Sequence, residues 1–292
     1  MRLSGPPPDW RRFELQFFMD HIMVKAFPLS AHMGYLFTDL PLTDRVAAAR
    51  DHGFAAVEYP APYDIPARQM AGLLNAAGLR YTQFGLRSGN AANGEKGIGI
   101  LPDRREEFRA SLTEALDYAE AIGVRMLHAM SGILPAAERR PEHRACYIGN
   151  LRLAAAEAAK RDITIIIEPM SAAAVPDYFI DTPQDAAQII AETGAGNIGL
   201  LLDIFHTAAI GQDIHQTIRD HAPLIRHVHI ADYPGRHEPG SGELDFPAIT
   251  ATLAECGYEG VLGCEYAPAG ETVAGLGWMG ADWVGSGTKA TG

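Results

Sequence analysis

Residues 163–170 read ITIIIEPM. An apolar run of isoleucines reaches Glu168 without the polar alternation of a half-buried strand, and Pro169 follows at once. This is the pattern of a strand covered on both faces, ending where it leaves its sheet. A carboxylate at such an exit stands at the mouth of the sheet. Three more apolar runs end the same way: IGLLLDIFH with Asp203 and His206, IRHVHIAD with His229 and Asp232, and VLGCEYAP with Glu265. Two glutamates, an aspartate and a histidine, each at the end of its own strand, are expected to form one site.

Working outward, the chain alternates strands with helical segments. Strands are expected at Val24–Leu29, Phe54–Tyr59, 79–86, 124–130, in the central stretch, and at Ile198–Asp203, Ile225–Ala231 and Gly260–Tyr266. Helices are expected at Leu42–His52, Ile65–Ala77, Asp103–Ile122 with Asp103 as N-cap, Pro141–Arg161, Asp181–Thr193, Asp213–His221 and 246–256, several closed by glycine. Strands alternating with helices imply parallel pairing and right-handed crossovers, and eight such units close most simply into a single (β/α)8 TIM barrel. In that fold Glu58, Glu168, Asp203, His229 and Glu265 all fall at the C-terminal ends of strands. An open doubly wound sheet is the runner-up, but no GxGxxG follows the first strand. The RSGNAANGEKG loop (87–97) is long enough to be a candidate lid. Residues 1–22 read as an N-terminal extension, and 23–292 as the barrel domain with a C-terminal tail.

The 292 residues suffice for one barrel, and 47% hydrophobic with 21% charged residues is ordinary for a globular enzyme. A formal net charge of −12 argues against a nucleic-acid partner, since phosphate contact needs a basic face. No apolar run reaches the length of a membrane span. Three cysteines, with no CxxC pair, make a disulfide framework or structural zinc unexpected, and a cytoplasmic location is the default. A homo-oligomer is compatible with the fold.

Taken singly, each of these residues has an ordinary use. Asp203 can cap the turn after its strand, His206 can be a satisfied edge histidine, His227 and His229 can be core histidines, and Arg236 can be a solvated loop residue. Convergence changes the weighting. Three carboxylates and one imidazole (Glu168, Asp203, Glu265, His229) make an oxygen-rich set suited to Mg²⁺, Mn²⁺ or Co²⁺, with positions left for substrate oxygens. A divalent ion that holds a carbonyl and its neighbouring hydroxyl acidifies the carbon between them and stabilises the enediolate. Glu168 and Glu265 on either side would move the proton. The chemistry expected is isomerisation or epimerisation of an α-hydroxycarbonyl compound.

The sequence resembles the xylose-isomerase-like barrel superfamily and, within it, the hydroxypyruvate isomerase family, from about Phe27 to Trp278. The likeness rests on LFTDLPLTDR (36–45), GFAAVEYPAPYDIPA (53–67), IEPM (167–170), LLDIFH (201–206), HIADYPGRHEPGSGELDFP (229–247) and GCEYAPAGETVAGLGWM (263–279). The resemblance implies that Glu168 and Glu265 are the proton-transferring pair and also metal ligands, that Asp203 completes the set, and that His206 and Arg236 contact substrate oxygens. Arg236 suits a substrate carboxylate. Two positions depart from the family pattern: His229, where Gln is frequent and His is usual in ketose 3-epimerases, and His32, where Asn is usual. The expected activity is an aldose-ketose type isomerisation of a small hydroxy-oxo acid, hydroxypyruvate to tartronate semialdehyde or a four-carbon analogue. The alternatives are a ketose 3-epimerase, a DNA-repair endonuclease of the same superfamily, and a non-catalytic sugar-acid binder.

Overall fold

The computed structural model describes residues 26–285. The expectations for the 1–22 extension and for the first residues of the Val24–Leu29 strand therefore lie outside the described residues, in whole or in part. The strands are β1 (Leu29–His32), β2 (Ala56–Glu58), β3 (Arg80–Tyr81), β4 (Phe84–Gly85), β5 (Met126–His128), β6 (Thr164–Ile167), β7 (Ile198–Asp203), β8 (Ile225–Ile230) and β9 (Leu262–Cys264). Every strand pair is parallel. In lateral order they run β3-β2-β1-β9-β8-β7-β6-β5-β4.

The two ends of that order are consecutive in sequence, and this closes the sheet. Thr82 N–H donates to Val57 O at 3.0 Å on one side, and Leu86 N–H donates to His128 O at 2.9 Å on the other. The segment 80–85 is thus one barrel stave that changes partner midway, and the sheet is an eight-stave TIM barrel rather than an open sheet. The crossovers are α1 (Leu42–Asp51), α2 (Ala67–Ala77), α3 (Arg105–Ile122), α4 (Pro141–Ala159), α5 (Pro183–Thr193), α6 (Ile204–Ala209), α7 (Ile214–His221) and α8 (Phe246–Glu255).

Local physics explains the placement. In α3, Phe108, Leu112, Ala115, Leu116 and Ala119 are buried, one stripe at helical spacing that faces the barrel. Ile165, Ile166 and Ile167 of β6 have no exposure at all, as a strand between barrel interior and helix layer requires. Three expectations need correction. The first strand lies at Leu29–His32, beyond Pro28, which has no N–H to give a ladder. Asp103 does not cap α3; it sits within a 3-10 turn, Pro102–Arg104, and the residue at the cap position is Arg104. The strand expected as one piece at 79–86 is interrupted at Thr82 and Gln83, where it exchanges neighbours. The 87–97 loop is tied down by Arg87 pairing with Glu114 and Arg104 with Glu95. Among the described residues no helix is long and apolar enough to cross a membrane, and all three cysteines are free thiols.

Candidate metal centre

The barrel geometry gathers four residues from four distant segments at one rim. Glu168, Asp203, His229 and Glu265 each present one ligand atom, all within 4.8 Å of one another. Asp203 and His229 are register partners across the β7–β8 ladder, and His229 pairs in register with Gly263 of β9, two residues before Glu265. Side chains two apart on a strand share a face, so these groups point the same way into the barrel mouth.

His229 Nδ1 lies 3.8 Å from Glu168 Oε1 and 3.5 Å from Glu265 Oε2. Glu168, Asp203 and His229 are all but fully buried; the Glu265 side chain keeps 14% of its exposure. Glu168 Oε1, Asp203 Oδ2 and His229 Nδ1 have no hydrogen-bond partner, although buried polar atoms are rarely left so. Two orphaned carboxylate oxygens beside an unpartnered imidazole nitrogen fit a shared cation, a metal ion or a proton on the ring.

The electrostatics agree. Burial pushes the Glu168 carboxyl above its ordinary value, and nearby His229 offsets this only in part. Glu265 is desolvated too, but His229, His32 and Arg236 hold it well below the usual carboxylate range. For His229 burial works against charge, yet Glu265 and Glu58 outweigh it and push the imidazole well above its usual value. The cluster is a hole in the charge balance that either a proton on His229 or a metal ion can fill.

The two residues expected at substrate oxygens border the same cluster. Ser171 N–H donates to His206 Nδ1 at 3.2 Å, so that nitrogen is an acceptor and the ring proton sits on Nε2. Nε2 faces the site, 3.7 Å from Asp203 Oδ2. Arg236 donates to Glu265 Oε2 at 2.5 Å and lies 3.5 Å from Asp203 Oδ2. Its guanidinium is held between the rings of Tyr35 and Phe205, at 5.5 and 5.1 Å. Its Nε has no partner, which leaves one buried donor for an incoming oxygen.

Asp232 serves the loop rather than the cluster. Its carboxylate accepts from the N–H groups of Tyr233, Gly240, Gly242 and Leu244, and Arg236 N–H returns to Asp232 O. The distinctive PGRHEPGSGE stretch is therefore a folded arm that delivers Arg236.

The site also holds residues to which the sequence reading gave no role: it placed Glu58 at a strand end, His227 in the core and His32 as a departure from the family pattern. Glu58 is fully buried below the cluster, with Oε2 accepting from His227 Nε2 at 2.9 Å and Thr82 Oγ1 at 2.5 Å. Glu58 Oε1 lies 3.1 Å from His229 Nε2. His32 Nε2 is 3.3 Å from Glu265 Oε1, and His128 Nδ1 is 3.9 Å from Glu168 Oε2. The two-residue spacing of His227 and His229, with an acid ending β2, was the available signal.

A family model described as xylose isomerase-like TIM barrel matches residues 46–281. The chain is 37% identical over 250 residues to a 2-oxo-tetronate isomerase of Cupriavidus necator, covering 86% of this chain and 96% of that one. It is 34% identical over 250 residues to the hydroxypyruvate isomerase of Escherichia coli, with 86% and 97% covered. Among solved structures it resembles one described as AP endonuclease, family 2, from Brucella melitensis, with a TM-score of 0.85 and 35% identity over 87% of this chain and 98% of that one.

Proposed function

Because the chain belongs to the xylose isomerase-like TIM barrel family, we propose that it is a divalent-metal-dependent isomerase of a small hydroxy-oxo acid, interconverting hydroxypyruvate and tartronate semialdehyde or a four-carbon 2-oxo acid and its isomer. One observation carries the reading: Glu168, Asp203, His229 and Glu265 each offer a ligand atom within 4.8 Å of the others, in a cluster where Glu168, Asp203 and His229 keep buried, unpartnered polar atoms. This donor set suits Mg²⁺, Mn²⁺ or Co²⁺. When bound, the ion supplies Lewis-acid polarisation of the substrate carbonyl and offsets the negative charge of the enediolate.

The protein's own groups do the rest. Glu168 and Glu265 meet at the cluster, where one carboxylate takes the C–H proton of the hydroxyl-bearing carbon and the other, or the same one, returns a proton to the adjacent carbon, with exchange through solvent restoring the pair before the next turnover. The hydroxyl proton moves to the former carbonyl oxygen, so the reaction is a net 1,2-hydrogen shift that balances without a redox cofactor. His206 Nε2–H offers a donor to a substrate oxygen, and Arg236 receives the carboxylate.

The test is proton NMR in D₂O with hydroxypyruvate, a four-carbon 2-oxo acid and free ketoses, each with Mg²⁺, Mn²⁺ or Co²⁺. Solvent deuterium should enter the carbon beside the carbonyl of the acids, and Glu168→Gln or Glu265→Gln should each slow turnover by roughly 10²–10⁴-fold, the usual worth of a general acid or base. Undiminished turnover by both variants would sink the assignment. His229 favours a second reading, a ketose 3-epimerase using the same glutamates; faster turnover of uncharged ketoses than of acids would select it. Duplex DNA is opposed by the net charge of −12 and by a mouth lined with carboxylates.

A further inference from the structure

We infer that Glu58 is a positioning residue that presents Nδ1 of His229, rather than Nε2, to the metal; this rests on the metal-dependent reading above and deepens it. An imidazole offers two nitrogens, and the one that binds a metal is chosen by the hydrogen bond the other makes. Glu58 Oε1 stands 3.1 Å from His229 Nε2, while Nδ1 faces Glu168 and Glu265. The two atoms approach without hydrogen-bond geometry, and neither has another partner; with Nε2–H turned onto Oε1, the carboxylate would hold the proton there and leave the lone pair of Nδ1 to the cluster.

Glu58 is itself anchored through Oε2. His227 and Thr82 donate to Oε2. Thr82 has spent its only hydroxyl proton there, so Ser30, 3.1 Å away, donates to Thr82 in turn. Gly263, in register with His229, keeps the space open: a Cβ there would overlap Glu58 Oε1 and lie 2.6 Å from His229 Cδ2. The barrel interior is thus cleared of a side chain where Glu58 meets His229.

The readout is metal binding, independent of any substrate. Mn²⁺ affinity is measured by calorimetry, and the visible spectrum of Co²⁺ by titration, for the wild type, Glu58→Gln and His227→Gln, at a temperature where circular dichroism shows each folded. Glu58→Gln should weaken Mn²⁺ binding by about 10- to 100-fold and shift the Co²⁺ bands, because the imidazole loses its charged partner. His227→Gln should act in the same direction by less. A purely structural role would lower the melting temperature without moving affinity or spectrum. Glu58→Gln binding Mn²⁺ as tightly as wild type, with an unchanged Co²⁺ spectrum, overturns the inference. If that variant does not fold, His227→Gln decides: weaker binding supports the role, unchanged binding overturns it. A wild type that binds no Mn²⁺ or Co²⁺ would instead overturn the metal-dependent reading itself.

Discussion

Gly263→Ala adds a single methyl group at the point where the barrel's polar interior is tightest. That carbon would overlap Glu58 Oε1 and sit 2.6 Å from His229 Cδ2 and 2.9 Å from His227 Nε2. Comfortable carbon contacts are about 3.5–4.0 Å, so two rings and a carboxylate must each retreat by roughly 1 Å inside a close-packed interior. Overpacking of this kind costs about 1–3 kcal/mol. Loosening a buried charge contact adds some fraction of the ~3–5 kcal/mol that breaking one outright would cost. Taking about 3 kcal/mol in all, and about 2–4 °C per kcal/mol for a chain of this size, the melting temperature should fall by roughly 6–12 °C. A displaced His229 also weakens the metal, and each tenfold in affinity removes about 1.4 kcal/mol of ligand-linked stability. The fall should therefore be larger with Mn²⁺ present than with a chelator. Thermal unfolding followed by circular dichroism under both conditions measures the two components. A melting temperature within about 1 °C of wild type in both would show that the interior has slack here, and the reasoning about Gly263 would be wrong.

Arg236→Ala should lower kcat/KM for carboxylated substrates by about 10–200-fold, the worth of a charge-assisted contact of ~1.5–3 kcal/mol, while leaving any residual turnover of uncharged ketoses within a few-fold; an equal loss on both would deny the carboxylate role. Asp203→Asn should keep most of the stability, because its side-chain oxygen still accepts from Phe205 and His206 N–H, yet bind Mn²⁺ far more weakly; Asp203→Ala should lose the metal and a further ~1 kcal/mol with the cap, as denaturant titration would show. His128, fully buried and desolvated, has its pKa lowered to about 3, so below pH ~6.5 the unfolded chain takes up a proton that the folded chain refuses, and stability falls with pH through that window. At pH 5.5 this costs about 1.4 kcal/mol in the metal-free protein, and His128→Gln should flatten the dependence by that amount; an unchanged slope in urea titrations at pH 7.5 and 5.5 would refute it. Gly149→Ala, at an exposed position in α4 with open space around the added carbon, should stabilise by about 0.5–1 kcal/mol in the same titration, and any destabilisation would contradict the helix geometry.

Much of the barrel could be read directly from the chain. Strands covered on both faces advertise themselves as unbroken apolar runs, and a charged residue closing such a run has few places to go but the rim. Hence the segments carrying Glu168, Asp203, His229 and Glu265 could be grouped before any coordinates, and the structure brings those four side chains together. Contacts across the barrel interior were not legible. Glu58 and His227 belong to strands separated in the sheet by β1 and β9, and they meet only because the sheet closes. Nothing local distinguishes Glu58 from a capping acid at a strand end. The first strand was displaced for a different reason: Val24–Leu29 looks apolar enough, but Pro28 has no N–H to donate, so Phe27 makes only an isolated bridge to Val284 and the continuous ladder starts at Leu29. Likewise Leu79 to Leu86 reads as one strand because Leu79, Tyr81, Phe84 and Leu86 recur along it without a Pro, whereas its hydrogen bonds pass from β2 to β5 halfway along.

Asp203 shows why the two readings of a strand-end carboxylate need not compete. Oδ1 accepts from Phe205 and His206 N–H at 2.7 and 3.2 Å, which caps α6, and Oδ2 remains unpartnered in the cluster. The six-residue helix so anchored carries His206, whose Nε2 faces the site, and Phe205, whose ring lies 5.1 Å from the Arg236 guanidinium. Asp232 does the equivalent for the arm that brings Arg236 in from the other side. A cap contributes only about 1 kcal/mol, too little to matter to a barrel of this size, but it fixes the direction of a short helix to within a side chain's reach of the cluster. Positional accuracy is what proton transfer between neighbouring carbons demands, since an ångström of misplacement costs on the order of 10²-fold in rate. The proposed metal ligand and the proposed substrate contacts are therefore mechanically one unit, with a single carboxylate supplying a free oxygen to the cluster and aiming the groups that surround it.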